Sequence, residues 1–144
     1  MTILVLPLSQ AYFIWYCAWL SIPSALYAYS IPTISHLAII PAAVFTTSVL
    51  YWRIPRRDSW QRKLDITVVI SGLSYNSYYV YSSEAIPIST KQIYSTLIGI
   101  SGMCYAFSEY LIRCGRIWPA TYAHASIHLF ANIANIILYN SLER

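Results

Sequence analysis

Residues 34–52 read ISHLAIIPAAVFTTSVLYW and contain no Asp, Glu, Lys or Arg. A helix of about 17–25 apolar residues is long enough to cross a hydrocarbon core of about 30 Å. The charge-free stretch extends back to Met1, and three others follow at residues 66–83, 92–108 and 117–142. Together they predict about five transmembrane helices, at residues 5–29, 34–52, 65–83, 92–112 and 118–140.

The composition of the chain agrees with a membrane protein. Of its 144 residues, 58% are hydrophobic and 10% are charged, whereas soluble domains carry about 25% charged residues. This excludes a soluble enzyme, a nucleic-acid-binding domain and a disordered chain. We therefore expect one all-α integral membrane domain over residues 1–144, with the lipid bilayer as its partner and no nucleic acid.

The basic residues predict an orientation, because Lys and Arg in short loops favour the cytoplasmic side of a membrane. Most of them fall on one side of the predicted bundle, at Arg53, Arg56, Arg57, Arg62, Lys63, Arg113 and Arg116. We expect this side, which also holds the N-terminus and the loop at 53–64, to face the cytoplasm, matrix or stroma. The chain is then multi-pass, and its C-terminus lies on the opposite side.

Two histidines stand out on the last predicted helix. His124 and His128 are four residues apart, so their imidazoles lie on one helix face, where they can share a metal ion. The same polar stripe continues through Asn132 and Asn135. The alternative is that both histidines donate or accept hydrogen bonds within the bundle.

Ionisable groups inside a membrane are costly and often functional. Asp65 begins the third predicted helix, and Glu109 lies about one turn before the end of the fourth. Ser48 and His124 fall at a similar depth, whereas His36 lies at the opposite face. A water-accessible polar pocket is predicted near the basic side.

Three short segments carry a family resemblance. Residues 47–52 (TSVLYW), 63–65 (KLD) and 118–128 (WPATYAHASIH) resemble the motifs of the CREST superfamily of membrane hydrolases. That superfamily includes alkaline ceramidases and progestin/adiponectin receptors. Its pattern is a Ser and a His four residues apart on one helix, an Asp at the start of the next, and H-x-x-x-H on the last.

The resemblance implies a role for each matching residue. His124 and His128 would bind zinc, Asp65 would orient the zinc-bound water, and Ser48 would support Asp65 as a hydrogen-bond donor. The implied reaction is hydrolysis of an amide or ester bond in a lipid substrate.

The chain also departs from the family pattern. Trp52 stands where the family has its first metal-binding His, and an indole does not ligate zinc. The family usually has seven spans, whereas about five are predicted here, so the resemblance covers only the second, third and fifth predicted helices. By depth alone, Glu109 is a candidate for the third zinc ligand.

Two functions therefore remain open. One is a zinc-dependent membrane hydrolase with His124, His128 and Glu109 as ligands and with Asp65 and Ser48 in supporting roles. The other is a non-catalytic structural or accessory subunit of a larger membrane complex. In that case the carboxylates pair with nearby arginines, and the histidines hydrogen-bond within the bundle.

Overall fold

The computed structural model describes residues 4–143, and helices form nearly all of this range. An isolated bridge pairs Leu4 with Arg56, and the part of the chain described here contains no β-strand. The all-α expectation is confirmed. The α-helices are α1 (Leu8–Ala18), α2 (Ser21–Ser30), α3 (Ile39–Trp52), α4 (Trp60–Ser82), α5 (Ile88–Arg113) and α6 (Ile117–Leu142), and a 3-10 helix spans Pro32–Ala38.

The first predicted helix, at residues 5–29, is in fact two helices. α1 ends at Ala18, and a turn at Trp19 and Leu20 leads into α2. Pro23 lies in the first turn of α2. Proline lacks an N–H group, and its ring clashes with the carbonyl four residues earlier, so it favours a helix start over a helix interior. Pro23 predicts a disruption of this helix, and the break at Trp19 and Leu20 lies three to four residues before it, with both residues in the αR conformation.

The second predicted helix, at residues 34–52, also has two parts. Ile31 is extended (φ −102°, ψ 106°), as expected for a residue that precedes proline. The 3-10 helix then continues directly into α3. The combined stretch Pro32–Trp52 has 21 residues and a mean hydropathy of 1.6. Within residues 4–143 it is the one helical stretch long and apolar enough to cross a membrane by length and composition.

The remaining three helices begin earlier than predicted. α4 starts at Trp60 instead of near Asp65, because Ser59 caps it by accepting a hydrogen bond from the Arg62 backbone N–H (3.2 Å). α5 starts directly after Pro87, and α6 starts at Ile117. The predicted turn between α5 and α6 is present, and it uses Gly115 at φ 71°, a conformation that favours glycine.

Buried apolar side chains form two separate clusters. The smaller one joins α1 to the end of α3 through Leu6, Ala11, Ile14, Tyr51 and Trp52. The larger cluster lies at the other end of the bundle and joins α2, the 3-10 helix, α4, α5 and α6. α5 and α6 pack against each other extensively, whereas α4 packs mainly against α3. The polar side chains described next lie mainly on α3, α4 and α6, with partners on α2 and α5.

Candidate functional site

The carboxylate of Asp65 is held by two hydroxyl groups of α3. Its Oδ1 accepts hydrogen bonds from Ser48 Oγ (2.7 Å) and from Thr47 Oγ1 (2.8 Å). All three residues are buried. Both hydroxyls belong to α3, which packs against α4, and α4 places Asp65 in its second turn. The structure thus brings Ser48 and Asp65 together, and it adds Thr47, which the motif comparison did not include.

His124 packs against an aromatic ring where the family pattern has a ligand. The ring centroids of Trp52 and His124 lie 4.6 Å apart, at an interplanar angle of 63°. Tyr105 approaches the same imidazole from α5, with a centroid separation of 6.3 Å. The Trp52 indole is buried, and its Nε1 has no hydrogen-bond partner among residues 4–143. Aromatic packing therefore takes up the side of His124 that faces α3.

His128 lies one helical turn further along α6. The centroids of the His124 and His128 rings are 6.2 Å apart, so the two imidazoles are neighbours as their spacing predicts. His128 is 6% exposed, and its Nε2 has no hydrogen-bond partner within the described range. It faces the middle of the bundle rather than the basic end.

Glu109 forms an ion pair with Arg62. Its Oε1 lies 3.6 Å from a terminal nitrogen of Arg62, and both side chains are 28% exposed. This ion pair is the arrangement expected if the carboxylates are structural. His36 lies apart, in the 3-10 helix, with its ring 6.1 Å from that of Tyr79.

A catalytic zinc ion commonly has three protein ligands, with Zn–N distances of about 2.0–2.1 Å. Across residues 4–143, no three His, Cys, Asp or Glu side chains form a group able to hold a metal ion. Asp65 Oδ1 is bound by hydroxyls, and Glu109 faces Arg62. His124 and His128 remain as a pair, so the side chains as placed here do not fit a three-ligand zinc site.

A second polar cluster links α2 to α6. Asn132 Oδ1 accepts a hydrogen bond from Ser24 Oγ (2.7 Å), while its Nδ2 donates to Ser21 Oγ (3.2 Å) and to the His128 carbonyl (2.7 Å). The sequence placed Asn132 on a polar stripe but gave no partner for it. Ser21 and Ser24 lie more than 100 positions away along the chain, and their spacing on one turn of α2 was the only available signal.

Several polar side chains pair across apolar helices, while others among residues 4–143, such as His128 Nε2, have no hydrogen-bond partner. Asp65 has hydroxyl donors, Glu109 has a guanidinium and Asn132 has serines. Such contacts fix the register of helices against one another.

Comparison with known proteins found no match to this chain among family models, curated proteins or solved structures.

Proposed function

We propose that the protein is a multi-pass integral membrane protein with a non-catalytic, structural or accessory role in a larger membrane assembly. The observation that carries the non-catalytic role is the packing of the Trp52 indole against His124, with ring centroids 4.6 Å apart. An aromatic ring there fills the space beside the imidazole and supplies no lone pair for a metal ion.

The membrane part of the proposal rests on the distribution of exposed side chains. Every α-helix exposes large apolar side chains, with Ile39 at 71% and Met103 at 64% as examples. Water disfavours such a surface, but acyl chains accept it. The charged residues gather at the ends of the helices, where headgroups and water are available.

The orientation follows from the exposed basic residues. Arg53, Arg56 and Arg57 lie between α3 and α4. Arg113 ends α5, and Arg116 lies between α5 and α6. Both connections are at the same end of the bundle. Under the positive-inside rule, this end faces the cytoplasm, matrix or stroma.

The alternative function is the zinc-dependent lipid hydrolase that the resemblance implies. One observation favours it, namely the hydrogen bond from Ser48 Oγ to Asp65 Oδ1. The same contact is also explained by the need to satisfy a buried carboxylate. The two functions differ in whether the purified protein holds a metal ion.

Metal analysis of the purified protein separates the two functions. We expect no stoichiometric zinc in the wild type. Trp52→His puts an imidazole beside His124, where the Trp52 ring now lies 4.6 Å away, and we expect this variant to gain zinc. Zinc in the wild type that is lost from His124→Ala/His128→Ala would overturn the non-catalytic proposal in favour of the hydrolase. Migration as an isolated monomer on native gels, after extraction in a gentle detergent, would contradict the accessory role.

Cysteine labelling tests the topology. In a Cys17→Ala/Cys104→Ala background, we expect a membrane-impermeant maleimide to reach Cys114, which is exposed, from the side that also labels Arg57→Cys. Glu84→Cys, in the connection between α4 and α5, should react from the opposite side. Labelling of all three positions from one side would show that α4 and α5 do not cross the membrane as proposed.

A further inference from the structure

The basic end of the bundle carries more positive charge than its own carboxylates balance. Within residues 4–143, Arg62 pairs with Glu109, and no other ion pair is present. Asp65 is buried, which leaves Asp58 as the other exposed carboxylate at this end of the described chain. Exposed basic side chains without an ion-pair partner in that range form a set that we call the basic surface, namely Arg53, Arg56, Arg57, Lys63, Arg113 and Arg116.

Packing brings the two basic connections of the chain together. Tyr51 and Trp52 directly precede Arg53 and belong to the smaller apolar cluster. Ile112 and Ile117, on either side of the α5–α6 turn, pack against the same cluster. The arginines of the α3–α4 connection and those of the α5–α6 turn are therefore attached to one common base, and their charges add at one surface.

The backbone of the α3–α4 connection is held in place by hydrogen bonds. The Val5 N–H donates to the Pro55 carbonyl (2.8 Å), and Arg56 pairs with Leu4 in the isolated bridge. The Arg56 carbonyl also accepts a hydrogen bond from Ser59 Oγ (3.0 Å). A loop that is already ordered loses less conformational entropy when it binds a ligand, so these arginines are arranged in advance for an anion.

Exposed indole rings place the basic surface next to lipid headgroups. Trp60, which follows the α3–α4 connection, is 62% exposed, and Trp118, which follows the α5–α6 turn, is 46% exposed. Trp and Tyr side chains collect where acyl chains meet headgroups. In the membrane placement of the proposed function, on which this step rests, lipid phosphates lie beside the arginines.

We propose that the basic surface binds the phosphate group of an anionic phospholipid. A guanidinium presents its N–H donors in a planar fork that matches two phosphate oxygens, and it keeps its charge at any physiological pH. A zwitterionic lipid also has a phosphate, but its ammonium group cancels the charge. The positive-inside rule explains the side on which these residues lie, and a bound anionic headgroup supplies the counter-charge that the chain itself lacks.

Lipid binding in detergent micelles tests the proposal. The purified protein is titrated with phosphatidylglycerol or with phosphatidylcholine of identical acyl chains, and native mass spectrometry counts the bound lipids. We expect the wild type to bind phosphatidylglycerol at least about tenfold more tightly, because each Lys or Arg near anionic lipid adds about fivefold. Raised salt should weaken this preference. Equal binding of the two lipids would leave the arginines to an acidic segment of a partner subunit and would overturn the proposal.

Variants at the two ends of the bundle supply the comparison. Arg53→Gln/Arg57→Gln removes charge from the basic surface, whereas Lys91→Gln removes it near the start of α5, at the opposite end. We expect the first variant to lose about fivefold or more in affinity for phosphatidylglycerol and the second to lose less than about twofold. Equal losses, or none in a folded double variant, would refute the assignment to the basic surface.

The wild-type comparison of the two lipids decides the matter if the double variant does not fold. Cysteine labelling reports the topology independently of lipid choice. Absence of a lipid preference together with the expected labelling would therefore overturn this proposal and leave the proposed membrane placement intact.

Discussion

Replacing Ser48 with alanine should destabilise the protein through Asp65. The substitution removes the 2.7 Å hydrogen bond to Asp65 Oδ1 and leaves the bond from Thr47. A hydrogen bond contributes about 0.5–1.5 kcal/mol between neutral groups and about 1.5–3 kcal/mol to a charged one. We therefore expect Ser48→Ala to lower the free energy of unfolding by about 1–3 kcal/mol.

Thr47→Val should cost about 1 kcal/mol, at the lower end of the same range. The Thr47 hydroxyl also lies 3.2 Å from the Val44 carbonyl, so it is shared between two acceptors. The double variant should cost more than the sum of the two single ones, because Oδ1 of a buried carboxylate then has neither donor.

Unfolding by SDS in mixed micelles measures these free energies, and a double-mutant cycle isolates the contact. The cost of Ser48→Ala is measured in the wild type and in Asp65→Ala, where the acceptor is gone. We expect a coupling within the usual range of about 0.5–3 kcal/mol for residues in contact. If Ser48→Ala costs the same in both backgrounds, the hydrogen bond does not contribute and the reasoning is refuted.

Two further predictions concern packing between helices. A Cβ atom at Gly72 would lie 2.7 Å from Ile40 Cγ2, so Gly72→Val should lose about 1–3 kcal/mol by overpacking, while Gly99→Val, with open space around it, should not. Equal thermal stability of the two variants would contradict the close α3–α4 approach. Asn132→Ala should lose about 1–3 kcal/mol in the same SDS assay by leaving buried serines unpaired. Ser126→Ala, on the same helix, should be nearly neutral because its hydroxyl is not buried and bonds only its own helix, and equal losses would argue against the α2–α6 contact.

The sequence predicted the helical fold well because its signals are local. Charge-free stretches mark the helices, and Gly115 marks the turn between the last two. Pro23 indicated a disruption of the first predicted helix but not its form, because proline is compatible with both a kink and a helix start. Which of the two forms depends on how α1 and α2 pack.

The candidate site was predicted only in part, because only some of its contacts follow from local patterns in the sequence. The neighbourhood of His124 and His128 follows from helical spacing alone. The contact between Ser48 and Asp65 needed the order of the helices, which the family resemblance supplied. The pairing of Asn132 with two serines depends on distant parts of the chain, and no local pattern encodes it.

The turn at Trp19 and Leu20 has a mechanical consequence. α1 belongs to the cluster with Trp52, whereas α2 belongs to the cluster at the opposite end of the bundle. A continuous helix would transmit a change of tilt from one cluster to the other. The turn at Trp19 and Leu20 interrupts the helix, so α1 and α2 can each move with the cluster that they contact. A structural change around Trp52 is then not transmitted through this segment to the far end of the bundle.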